Sequence, residues 1–492
     1  MTAPMENSFW VRRLSALEKL GNRLPQPVVL FIALAVLIAL ASTLAHWLQW
    51  QARVPGSGEV LSARSVLSVE GIRWALTSAV DNFTGFAPVG AVLVTMLGLG
   101  VAERAGLLQA LLLRLVMAVH PRYLSFAVVL AGILSNLAFD VGYVLLIPLA
   151  GVLFQVAGRP PLAGIAACFA GVSAGYSANF LLGPADVILA GLSSEALQLV
   201  KPQAQVSVAA NYYFAAASTV VLALTGMWVT ERVVSPYLRG QPVESGTQDA
   251  PPAPHPKGLR WVLVYSLVFA LIVLGVALPD GAPLRTEQGF ALQALVPLIA
   301  LYAAGAGWVY GKVSGSFKQP GAATEGMEQA MASLAGYLVL MFFAAQAVAW
   351  FGWSGLGQLL AATGANWLVG FDGQVLLLLL LFILISAFIN LFVGSASAKW
   401  GLLAPVFVPM LLLLGVAPEQ TQMAYRIGDS VTNIITPLMP YFGVVLAFAA
   451  RYRPKIGVGT LIAMMLPYSL AFLLVWTAMF TLWLLLGWPL GF

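Results

Sequence analysis

Hydrophobic residues in this chain come in long unbroken runs, without the 3.6- or 2-residue periodicity of a soluble amphipathic fold. The first clear run covers residues 28–48. Two more cover 87–99 and 107–119, the second interrupted by Arg114, and 124–137, 163–182 and 212–229 follow. Beyond a polar stretch lie 261–278, 291–310, 334–350, 375–390 and 461–486. The chain from Met1 to Pro27 alternates apolar and charged residues and predicts a short interfacial helix. The apolar sequence on either side of Asp140 and Gly142 is too short for two spans and predicts a re-entrant hairpin, and 375–390 leads into a second. At ~20 apolar residues per span, the pattern predicts an all-α integral membrane protein of about nine transmembrane helices plus two re-entrant helical hairpins.

Polar residues crowd two places inside these surroundings, Asn390–Trp400 and Arg426–Pro437. An unpartnered polar group in hydrocarbon costs several kcal/mol (order of magnitude), so such density calls for a function. A similar arrangement occurs earlier. Asn136 and Asn390 lie 254 positions apart, while Gly175/Gly428, Ser177/Ser430 and Pro184/Pro437 each lie 253 apart. The near-constant offset predicts a duplication, with repeat 1 over about 124–190 and repeat 2 over about 375–450. Basic clusters at Arg12/Arg13/Lys19/Arg23, in the 231–260 loop, at Lys312/Lys318 and at Arg451/Arg453/Lys455 assign those segments to the cytoplasm. Corresponding elements then leave the membrane on opposite faces, and the repeats are inverted. The expected organisation is a cytoplasmic interfacial segment (1–27), a first membrane half (28–230), a cytoplasmic linker (231–260) and a second half (261–492). The N-terminus falls in the cytoplasm and the C-terminus in the periplasm.

Composition narrows the choice of function. With 60% hydrophobic and 9% charged residues and a mean hydropathy of +0.90, the chain has no room for a soluble enzyme module. The single Cys168 excludes a disulfide framework, and His46, His120 and His255 are too scattered for a zinc site. The net charge of +5 sits in loops, as membrane orientation requires, and implies no nucleic-acid partner.

Carboxylates, amides and hydroxyls are hard ligands, and broken helices free backbone groups beside them. Asn390, Gly394, Ser395, Thr432 and Asp429 form a candidate ion site, with Asn390 and Asp429 suited to sodium. In repeat 1, Tyr176 stands where repeat 2 has Asp429. Asp429, Asp186 and Asp140 are also candidate proton carriers, because an acid within a span is functional by default. The plainer reading of Asp429 is an ion pair with Arg426, three residues away on the same helix. Arg426 can clamp a carboxylate, and Trp400 offers a face to a ring. Lys399 reads more simply as a residue snorkelling to the interface, with Trp400 anchoring a hairpin tip there.

These motifs resemble the AbgT family of aminobenzoyl-glutamate transporters over nearly the whole chain. The carriers are Leu17–Pro27, Asn136–Asp140, Gly183-Pro-Ala-Asp186, Ser395-Ala-Ser397-Ala-Lys-Trp400 and Tyr425-Arg-Ile-Gly428-Asp429-Ser430-Val-Thr432-Asn433. The resemblance implies a multi-pass inner-membrane secondary transporter and not an enzyme. It implies a homodimer among lipids that carries p-aminobenzoyl-glutamate or related small anionic aromatic compounds, and members of the family are linked to sulfonamide export. By motif match, the substrate path takes Asp186, Ser397, Trp400, Arg426, Asp429 and Pro437, with Asn136 as a further candidate, and Asn390 with Asp429 are carried over as ion ligands. No organic cofactor is implied, and the coupling ion is sodium or a proton.

Three other readings compete. A dicarboxylate-type anion carrier shares the inverted-repeat architecture. An intramembrane aspartyl protease is suggested by Phe139-Asp140 and Gly428-Asp429, but Arg426 would hold the carboxylate ionised, against the shared proton that such a dyad needs. A passive channel lacks a ring of like residues.

Overall fold

A computed structural model of the chain describes residues 27–53, 60–117, 120–138, 142–238, 255–279, 281–286, 289–291, 294–368, 374–439, 441–454 and 456–492. The predicted N-terminal interfacial helix and Asp140 lie outside these residues.

Apolar runs in hydrocarbon must satisfy their backbone internally, and helices do so. Among the described residues, besides the short helices Val69–Thr77, Ala79–Thr84 and Ser235–Leu238, eighteen helices carry the architecture: α1 (Pro27–Trp47), α2 (Ala87–Arg104), α3 (Leu107–Met117), α4 (Leu124–Leu134), α5 (Ile147–Val156), α6 (Pro161–Phe169), α7 (Pro184–Gln198), α8 (Tyr212–Val229), α9 (Pro256–Ala277), α10 (Leu295–Ser314), α11 (Ala322–Ser333), α12 (Ala335–Trp353), α13 (Leu356–Leu368), α14 (Val375–Asn390), α15 (Ala396–Leu413), α16 (Pro418–Val431), α17 (Phe442–Ala450) and α18 (Val458–Leu485). Among the described residues 7 helices are long and apolar enough to cross a membrane, or up to 8 if α2 and α3, bent by 67° at their junction, count as one span. Two small hairpins, β1 (Gln51–Arg53) with β2 (Val60–Ser62) and β3 (Arg285–Thr286) with β4 (Gly289–Phe290), decorate loops.

The repeated series is visible in the elements. Hairpin arms α4 and α5, interrupted helices α6 and α7, and the long α8 are followed in the second half, in the same order, by α14 and α15, α16 and α17, and α18. The two series interlock where α7 packs on α15 and α8 on α18, while α14 packs on α16 within the second series. Proline opens α6, α7 and α16, where its missing N–H costs nothing.

The helix of α8 does not end at Val229, where the linker was expected to begin. It runs on through a π turn, Thr230–Val234, to Leu238, because Glu231 is held there by Ser125 Oγ (2.6 Å) and by Arg159. At the other end α9 already starts at Pro256, its first turn capped by His255.

Candidate substrate and ion site

The chemistry gathers where α14, the start of α15 and α16 meet. Gly428 makes the approach possible: a Cβ there would lie 2.3 Å from the Ile383 carbonyl oxygen, so only glycine lets α16 lie this close to α14. α14 ends at Asn390, the chain turns through Gly394, and Ser395 caps α15 by accepting the Ala398 N–H (3.3 Å).

Lys399, one turn into α15, points back at this junction. Its Nζ stands 2.5 Å from Asp429 Oδ1 and also donates to Asn390 Oδ1. The Asn390 amide N–H₂ faces Thr432 Oγ1 (2.9 Å), Asn433 Oδ1 (2.8 Å) and the Asp429 carbonyl. The Tyr425 hydroxyl lies between Asp429 Oδ1 (3.0 Å) and the Ala396 carbonyl (2.6 Å). Lys399 is therefore fully buried and does not snorkel.

Arg426 does not pair with Asp429. Lys399 has taken that carboxylate, and the Arg426 guanidinium extends across to repeat 1, where Nη1 meets Asp186 Oδ1 at 2.7 Å and Nη2 donates to the Ser177 carbonyl (3.2 Å). Asp186 sits in the first turn of α7, and its Oδ2 accepts the Gly183 N–H (2.8 Å), a position that suits an acid at a helix N-terminus. Four buried charges thus form two neutral pairs, and the second joins the two halves. Among the described residues, four atoms in this region have no partner, Arg426 Nε and the hydroxyls of Ser173, Ser177 and Ser386.

Trp400 is enclosed. It stacks on Tyr425 (centroids 4.5 Å apart, 25°), and its indole N–H donates to Ser193 Oγ (2.9 Å). The chain of bonds continues from Ser193 to Gln422 (2.5 Å), from Gln422 to Asn211 (2.9 Å) and from Asn211 to the Glu419 carbonyl (2.8 Å). Trp400 is thus held between α7 and α16 and lines neither cavity described next.

Two cavities flank the tip of the second hairpin. The larger, about 440 Å³, is bordered by Met96, Glu103, Tyr176, Tyr337, Ser395 and Ser397. The smaller, about 170 Å³, is bordered by Asn136, Tyr143, Tyr176, Gly394, Asn433 and Tyr441. Tyr176, Ala185 and Ala396 border both, so the two adjoin. The larger volume is of the size that small organic ligands occupy. Tyr143 and Tyr441 stack face to face beside the smaller one (4.3 Å, 10°). Pro437 borders neither cavity. It follows the 3₁₀ turn Asn433–Ile435, in a segment whose Leu438 carbonyl touches Gly394 so closely that a Cβ there would stand at 2.6 Å.

The tyrosines and the Ser193–Gln422–Asn211 chain were not among the residues the sequence singled out. Among the tyrosines, Tyr176 carried a signal through its register with Asp429, and Tyr425 only as part of the family motif.

Interrupted apolar helices that interlock around buried ion pairs and adjoining polar cavities define a polytopic membrane protein of the transporter type. Comparison with known proteins gives the class a family. The AbgT transporter family model matches residues 12–492. The p-aminobenzoyl-glutamate transport protein of Escherichia coli (strain K12) is 35% identical over 490 residues, 96% of this chain and 95% of the relative. Among solved structures, the YdaH transporter of Alcanivorax borkumensis, noted for an unusual topology, superposes with a TM-score of 0.91 at 49% identity, covering 95% of this chain and 100% of that one. MtrF of Neisseria gonorrhoeae, described as illuminating a class of antimetabolite efflux pumps, does so with a TM-score of 0.87 at 44% identity, covering 96% and 97%. The chain belongs to the AbgT family. These relatives are named as transporters or efflux pumps, not as enzymes.

Proposed function

We propose that the chain is a secondary active transporter of p-aminobenzoyl-glutamate or related small anionic aromatic compounds, sulfonamide-type antimetabolites included. It works in the bacterial inner membrane by alternating access, driven by a sodium or proton gradient. The observation that supports this reading is the Asp186–Arg426 pair, which links the two repeats; neither side chain lines a cavity, but Ala185, next to Asp186, borders both, among hydroxyls, amides and tyrosines. An anionic substrate that competes with Asp186 for Arg426 has a direct hold on both halves, and tyrosine faces suit an aromatic ring. Ser397 and Asn136 would contribute polar contacts from the two cavities. The inverted repeats supply the rocking geometry, and the protein works as a homodimer.

The test is flux of labelled p-aminobenzoyl-glutamate in proteoliposomes, with sodium and proton gradients imposed separately and Asp429→Asn in parallel. Gradient-driven, saturable flux that the variant loses is expected. Sodium-driven uptake would favour import, and flux driven by protons alone would favour export by antiport. Flux absent under both gradients would overturn the assignment.

A further inference from the structure

The place that the sequence assigns to a coupling cation is filled by the chain itself. Asn390 Oδ1 and Asp429 Oδ1 are the kind of oxygens a sodium ion takes, yet both converge on the Lys399 ammonium, with the Lys399 and Asp429 side chains each 1% exposed. The remaining groups complete a shell around that ammonium. Tyr425 is on the Asp429 carboxylate, and Thr432 and Asn433 fix the Asn390 amide. Arg426, the nearest other cation on α16, is turned away onto Asp186 and the Ser177 carbonyl. A sodium ion and this ammonium cannot both sit between the two oxygens.

The lysine also has somewhere to go. Side chains on a helix lean over the turn before them, and the turn before Lys399 is Ser395-Ala396-Ser397, all three of which border the larger cavity, Ala396 bordering the smaller one too. Its flexible four-carbon stem lets the ammonium swing between the Asn390–Asp429 junction and the cavities.

We propose that Lys399 is a tethered competitor of the coupling cation. Sodium takes the place between Asn390 and Asp429 only as the Lys399 ammonium leaves it for the cavities, where a carboxylate of the substrate receives it. The proposal rests on the reading of the chain as a cation-coupled carrier of an anionic compound. Its logic is charge balance. With the lysine seated, Asp429 is neutralised and no sodium is needed. With sodium seated, Asp429 is again neutralised, but a displaced lysine without an anion would be a buried unpaired charge. A substrate carboxylate removes that cost, so sodium and substrate each favour the binding of the other.

The test is a sodium titration at constant ionic strength, with choline as the replacement cation. It is read by thermal unfolding and tryptophan fluorescence of the purified full chain, with and without p-aminobenzoyl-glutamate. In the wild type, substrate is expected to lower the half-saturating sodium concentration about tenfold or more. Lys399→Met is expected to respond to sodium alone at about tenfold lower concentration than the wild type, and substrate should no longer shift that response. A lysine with a purely structural role would instead give a variant with weaker sodium binding or none, and that result overturns the proposal. So does a wild type whose sodium response ignores substrate, which decides the matter even if Lys399→Met does not fold. Wild-type flux driven by protons with no sodium response would overturn the exchange and leave the transport reading standing. A sodium response linked to substrate as above, in a protein that moves no substrate under any gradient, would do the reverse.

Discussion

Arg426 and Asp186 illustrate how a residue's partner, and not its depth alone, decides its role. Sequence places Arg426 three residues before Asp429 and suggests a local pair; the fold gives Asp429 to Lys399 and sends Arg426 across to the other repeat. Nothing local encodes that choice, because it depends on how α7 and α16 meet. Removing one member should be costly: Arg426→Met leaves Asp186 buried and unpaired, an expected loss of about 3–5 kcal/mol. Adding Asp186→Asn should recover a large part of that loss. A double-mutant cycle on unfolding in detergent checks this, and additive single effects would contradict a direct pair. Trp400 separates ring from N–H in the same way. Trp400→Phe keeps the stack on Tyr425 but gives up the Ser193 bond, for an expected cost of about 1 kcal/mol. Because Trp400 borders neither cavity, the concentration of p-aminobenzoyl-glutamate at half-maximal flux should stay within about threefold, a free-energy change below 1 kcal/mol. A larger rise would return Trp400 to the substrate path.

At the scale of elements, what was legible follows from what hydrocarbon forces. Long apolar runs become helices because nothing else satisfies their backbone, so α1, α8, α9, α10, α12 and α18 could be read from the pattern within a turn or two at most ends. Short helices were harder. α13 and the pair Val69–Thr77 and Ala79–Thr84 mix polar and apolar residues without spanning length and left no comparable signal. The hairpins were legible through their polar interruptions and the constant offset, which also matched Tyr176 to Asp429 before either had a location. Glycine sets how closely these elements pack. Gly428→Ala would press a methyl into the backbone of α14 and move Asp429 away from Asn390, with an expected destabilisation of about 1–3 kcal/mol and a sharp fall in flux. Gly443→Ala, in α17, meets nothing within 4 Å and should be neutral or stabilising by up to about 1 kcal/mol. Equal effects of the two in a thermal-unfolding series would mean that α14 and α16 do not depend on their close contact.

For the whole molecule, the positive charges give an orientation that the fold can test by parity. Placing the 239–254 segment in the cytoplasm puts the end of α8 and the start of α9 there. α9 then emerges outside near Leu278, and α10 returns inside near Lys318. The last span, α18, starts inside after Arg451 and Arg453 and ends outside, with the C-terminal Phe492 against Tyr212 and Tyr213 at the outer end of α8. Both long helices that close the two series therefore have their outer ends together, although one series enters the membrane from each side. The only native thiol, Cys168, is buried, so cysteine labelling has little background. In a Cys168→Ser background, Leu278→Cys and Phe492→Cys should react with a membrane-impermeant maleimide on spheroplasts, which lack the outer membrane. Lys318→Cys should react only after the inner membrane is opened. Labelling of Lys318→Cys in intact spheroplasts would invert the molecule, and labelling of Leu278→Cys and Lys318→Cys from the same side would break the parity on which the inverted repeats rest.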